Sequence, residues 1–136
     1  MGPIALLALL LPVTPLQASE EVARGAEIYK EHCASCHGAE LEGQANWRQR
    51  GPDGRLPAPP HDETGHTWHH PDQVLFQITK EGVAAFAPKD YVTDMAAFGD
   101  VLSDEEITAV IDYIKSTWPA EIQLRQKVLT EGYRAQ

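Results

Sequence analysis

Cysteine is almost missing from this sequence: the 136 residues hold two, Cys33 and Cys36. With no further pair to complement them, a zinc site built on two cysteine pairs is excluded. Methionine is equally scarce, with Met1 and Met95 alone. Long apolar runs are lacking too. The run from Ile4 to Leu11 is followed by Pro12 and Pro15, and it is too short to cross a bilayer as a helix, so no integral membrane span is expected. Basic residues are a minority, 11 Lys and Arg against 20 Asp and Glu, for a formal net charge of −9. That balance argues against nucleic acid and anionic membrane surfaces as partners. Neither strand patterns nor internal repeats stand out, and the length suits one small domain.

What the chain does have is concentrated at Cys33-Ala34-Ser35-Cys36-His37. C-x-x-C-H is the attachment signature of a c-type haem. Two thiols add across the two vinyl groups of one porphyrin, two intervening residues set their separation on a turn of helix, and the adjacent histidine faces the iron. Three rival readings are weaker. A thioredoxin-like dithiol needs a βαβ context that the flanks lack. Half a zinc site would have to be completed by histidines. A disulfide across two residues is strained and leaves His37 unexplained.

The N-terminal apolar run, with Ala18 and Ser19 beyond it, reads as a secretory signal over residues 1–18, cleaved after Ala18 or Ser19, although no Lys or Arg precedes it. Export to the periplasm fits covalent haem attachment, which bacteria carry out beyond the cytoplasm. The mature domain, residues 19–136, is at the small end for a self-sufficient core, and a buried porphyrin would add apolar area.

Helical spacing predicts a first helix over Glu20–His32, with Gly25 and Tyr29 on one face. A glycine inside a helix costs about 1 kcal/mol against alanine, which points to a packing reason. Residues 45–65, with three glycines and four prolines, read as an irregular loop wrapped around something, the haem edge being the obvious candidate. His70-Pro71-Asp72 opens a helix with Val74, Leu75, Ile78 and Thr79 as its stripe, ending at Gly82. Residues 83–99 form a second loop carrying Met95. Ser103 and Glu106 make a capping box for a helix whose apolar face is Ile107, Val110, Ile111 and Ile114, ending near Trp118. A short amphipathic segment from Ala120 to about Tyr133 follows.

A six-coordinate haem needs a ligand opposite His37. Met95 is the methionine that a mature chain would retain, and a Met/His pair raises the reduction potential and suits electron transfer. A core-filling role for Met95 is the alternative. His61, His66, His69 and His70 are competing ligands, and together they also suggest a second metal site for copper or zinc.

Gly25, Tyr29, the C-x-x-C-H motif, Met95 with Phe98, and Leu102–Ile107 together resemble a class I cytochrome c, over about Val22 to Trp118. The resemblance implies an all-α fold in which the N- and C-terminal helices cross beside one covalent haem c, with long loops wrapping it. The core would be residues 22–118, followed by a helical tail over 120–136. Gly25 would then allow close approach of the helix bearing Val110 and Tyr113. In the family a proline carbonyl accepts a hydrogen bond from the proximal histidine. Pro59 in Ala58-Pro59-Pro60-His61 resembles that position, with Pro60 as the other candidate. Departures are Ala96, where a proline often follows the ligand methionine, and His61, where leucine is frequent.

The implied function is a monomeric one-electron carrier, not an enzyme, serving redox proteins with a basic docking surface. The alternatives are a cytochrome subunit docked to a larger redox complex, and a haem enzyme or gas-binding protein from whose iron Met95 dissociates.

Overall fold

The computed structural model describes Pro12 and residues 14–135; most of the expected signal segment lies outside the described residues. These form five α-helices, α1 (Pro15–His32), α2 (Ala34–His37), α3 (Asp72–Glu81), α4 (Asp104–Ser116) and α5 (Ala120–Arg134). Short 3-10 turns at Thr67–His69 and Val83–Ala85 precede and follow α3. No strand occurs among the described residues, so the fold is all-α as expected.

α1 starts earlier than the predicted Glu20. Thr14 and Gln17 cap it reciprocally: the Gln17 N–H donates to Thr14 Oγ1, and the Thr14 N–H donates to Gln17 Oε1 at 2.9 Å. Pro15 occupies the first helical position, where its missing N–H costs nothing. The helix therefore runs through the expected cleavage positions at Ala18 and Ser19. Thr14-Pro15-Leu16-Gln17 carried that start signal in the sequence.

α1 and α4 cross in direct contact. At the crossing Gly25 lies against the Ala109 carbonyl, and a Cβ there would collide with that carbonyl and stand 2.9 Å from the Tyr113 Cβ. The crossing gathers Ile28 and Tyr29 from α1 with Ile107, Ala109, Val110, Ile111 and Ile114 from α4, joined by Leu41, Leu102 and Trp118. Ser103 and Glu106 form the predicted capping box of α4, and Glu106 also pairs with Arg24 of α1 at 3.0 Å. α3 is tied to the start of α4 by Lys80–Asp104 at 2.7 Å.

The tail is a full helix of 15 residues, and its buried face is polar rather than apolar. Gln126, 1% exposed, donates to the His70 carbonyl and to Asp72 Oδ1, while Thr130 Oγ1 accepts the Asp72 N–H. Lys115 of α4 reaches the other oxygen of Asp72 at 2.9 Å. Asp72 thus joins the start of α3 to the end of α4 and to the buried face of α5. Burial pushes its pKa up, but hydrogen bonds from Lys115 and Gln126 outweigh this and hold it below the usual carboxylate value.

Two outcomes are expected. Gly25→Ala should destabilise the holoprotein by about 3 kcal/mol, because backbone must move to admit the methyl; chemical denaturation measures this. Asp72→Asn should cost on the order of 1 kcal/mol at neutral pH, given that the pair is partly exposed. Asp72's depressed pKa contributes stability above the unfolded value of about 3.9 that is lost as pH falls through the folded value. The gap between wild type and variant in thermal melts should therefore close in acid.

Candidate haem site

α2 is a single turn that follows α1 almost without a break, so the crossing of α1 on α4 sets where Cys33, Cys36 and His37 stand. The Tyr29 hydroxyl, in the core, donates to the Gly38 carbonyl at 2.9 Å and pins the end of that turn. Burial, then the neighbouring Cys33, raises the Tyr29 pKa, so the phenol remains a donor. Both thiols are free: Cys36 is exposed and Cys33 half-buried. Burial and the neighbouring Cys36 push the Cys33 thiol up to about 11.

His37 is buried, and its Nδ1 lies 2.8 Å from the Pro59 carbonyl. A carbonyl only accepts, so Nδ1 carries the proton and Nε2 is the nitrogen available for a metal. The carbonyl is held in place by a double clasp between two loop segments. The Gln44 N–H donates to the Ala58 carbonyl at 2.9 Å, and Gln44 Oε1 accepts the Ala58 N–H at 3.0 Å. Gly43, at φ 68°, donates to the His37 carbonyl and runs so close to Pro59 and Pro60 that a Cβ would strike them. Burial lowers the His37 pKa, and the Pro59 bond partly opposes this.

Met95 is half-buried in the second loop, with its N–H 3.1 Å from Thr93 Oγ1. That loop is tethered to the first by Arg55 Nε on Asp94 at 2.9 Å and by Arg50 over the Tyr91 ring at 5.2 Å. Its end is tied to α3, where the Phe98 and Gly99 N–H groups donate to Thr79 and Lys80 carbonyls.

The four histidines that compete with Met95 are dispersed. His61 stacks on His37, with ring centroids 4.0 Å apart and planes at 26°. A ring so placed stands beside the His37 imidazole and not across an iron from it. Burial, followed by the nearby His37 and His66, pushes its pKa down to about 3, so the ring is neutral. His66 stacks on Trp47 at 5.3 Å and meets His70 edge-on at 5.8 Å, while His69 lies on Trp68 at 3.8 Å. Among the described residues no group of three or more His, Cys, Asp or Glu side chains could hold a metal ion. The expected second metal set is not assembled, because His61 is drawn to His37 and Thr67, and His66 and His69 to tryptophans.

The residues suit a covalent porphyrin. Two free thiols stand on one helical turn beside an imidazole whose Nδ1 is already engaged. α3 buries none of its residues, although Val74, Leu75 and Ile78 line one of its faces. Leu56, Phe86 and Val92 are exposed loop residues, also apolar. Residues 22–118 match the family model described as Cytochrome c. The chain belongs to the cytochrome c family. No curated protein and no solved structure matches it. A cytochrome c binds covalent haem c, and Cys33 and Cys36 fit that attachment. Among the described residues of this cytochrome, no helix is long and apolar enough to cross a membrane.

Sequence reasoning missed the His61–His37 stack and the Arg55–Asp94 tether. The only trace of the first was a histidine where the family often has leucine. Tyr29→Phe should cost about 1 kcal/mol in the unfolding free energy of the holoprotein, since it strips the Gly38 carbonyl of a part-buried donor.

Proposed function

We propose that this cytochrome is a periplasmic, monomeric one-electron carrier, with His37 and Met95 as axial ligands of its haem iron. The observation that carries the proposal is the 2.8 Å contact between His37 Nδ1 and the Pro59 carbonyl. That bond fixes the tautomer, turns Nε2 outward as a ligand and raises its basicity. Haem c supplies an iron that gains and loses one electron. The chain's own contribution is to hold Cys33 and Cys36 for the two thioethers, to fix the imidazole and to keep water from it. Met95 supplies a soft thioether, and its loop is braced by Arg55–Asp94, so coordination need not change between oxidation states.

Residues 1–18 serve as the export signal and residues 19–136 as the mature domain, with a core over 22–118 and α5 as a tail. The docking partner is a redox protein with a basic surface. Of the nine net negative charges, eight lie on two segments: residues 20–46, with six carboxylates against Arg24 and Lys30, and residues 98–116, with five against Lys115. Because α1 and α4 cross, these segments adjoin, and their summed field would steer a basic partner. A docked-subunit role draws support from α5, which exposes Leu124, Val128, Leu129 and Tyr133.

A ferric optical spectrum with potentiometric titration tests the ligand pair. Wild type should show the weak long-wavelength band of thioether–ferric coordination. Met95→Ala should abolish that band and lower the potential, because methionine ligation raises it. An unchanged spectrum and potential in the variant would remove Met95 from the iron.

A further inference from the structure

His61 is held more tightly than a loop side chain needs to be. Its N–H donates to the Leu41 carbonyl at 2.8 Å, and its carbonyl accepts the Trp118 Nε1–H at 2.7 Å. Its Nδ1 lies 2.7 Å from Thr67 Oγ1, and the Tyr29 ring stands edge-on at 6.4 Å. Four contacts from α1, Trp118 just beyond α4, the Leu41 turn and the Thr67 turn therefore aim one imidazole face at another. The face it meets is that of His37, at 4.0 Å.

His37 needs such a neighbour. The outer torsion of a histidine side chain is broad, so its rotamer does not define the ring plane. The Pro59 bond anchors one nitrogen but leaves the ring free to rock about the Nδ1–carbonyl line. A flat ring laid nearly parallel against it blocks that rocking. An aliphatic side chain would fill the space without either the flat face or the bond to Thr67.

We propose that His61 is a positioning residue: stacked on His37, it fixes the plane in which that imidazole presents Nε2 to the haem iron. The proposal rests on the reading of His37 as an axial ligand. His61 itself takes no part in the electron step, in which the haem iron gives or accepts one electron and no proton moves at this ring. Thr67 and Trp118 act one step further out, by fixing His61.

Ferric electron paramagnetic resonance and the paramagnetic shifts of the haem methyl protons both report the orientation of axial ligands, and neither responds to stability alone. The purified holoprotein is compared with His61→Leu, His61→Phe and Thr67→Val. The Leu variant should broaden and shift the largest g-value and change the spread of methyl shifts. The Phe variant should restore both, since a flat ring returns. Thr67→Val, which keeps His61 and nearly the same volume, should move both readouts in the direction of the Leu variant by a smaller amount. Leu and wild-type spectra that coincide, or Phe spectra displaced as far as Leu, would overturn the proposal. Should the Leu variant fail to mature, Thr67→Val decides, and wild-type spectra from it would overturn the proposal equally. A high-spin wild-type signal would instead overturn Met95 ligation and leave the His37 plane to be read from the methyl shifts, whereas a low-spin wild type with insensitive variants removes His61's role alone.

Discussion

The contact between Gly25 and the Ala109 carbonyl is the constraint from which the rest of the molecule follows. Only a residue without a Cβ lets α1 approach α4 backbone to backbone, and that approach puts Tyr29 in the core, 5.5 Å from the Tyr113 ring. Tyr29 in turn holds Gly38, and with it the end of the turn bearing both thiols and His37. A helix crossing thus sets the position of the attachment site without contributing a single ligand to it. The helical cost of glycine is repaid by one close approach.

The loops have a different logic. Neither the 38–66 segment nor the 83–99 segment has an α-helix to define it, so each is positioned by specific hydrogen bonds. Gln44 clasps Ala58, Leu41 accepts the His61 N–H, Trp118 reaches the His61 carbonyl, and the Thr79 carbonyl accepts the Phe98 N–H. Buried polar groups must be paired, so this bonding also selects one loop conformation among many. His37 sits where the two kinds of order meet: its backbone belongs to the helical turn and its ring to the loop network.

Sequence reasoning reached the helices and the attachment motif because both are local. Apolar spacing and the Ser103–Glu106 box located α4, and Gly82 located the end of α3. The start of α1 is equally legible in Thr14 and Gln17, but both fall inside the segment 1–18 read as a signal. The tail helix was visible only as a weak pattern, because Gln126 and Thr130, the residues it buries, are polar. The stack of His61 on His37 joins positions that no period links. The same holds for Trp118 and His61, 57 residues apart, where only the folded loops bring donor to acceptor.

The Arg24–Glu106 pair shows how far apart in the chain the crossing helices lie, since the two residues are separated by 82 in the sequence. Closing a flexible loop of that size is not ruinous for stability, since each doubling of length costs only about 0.6 kcal/mol. The burden falls on speed. Until α1 meets α4, neither Gly25 nor Tyr29 gains its contact, and contacts this distant in sequence slow folding. That encounter brings the C-x-x-C-H turn at the end of α1 to the core through Tyr29, while the two loops still have to close hydrogen bonds of their own.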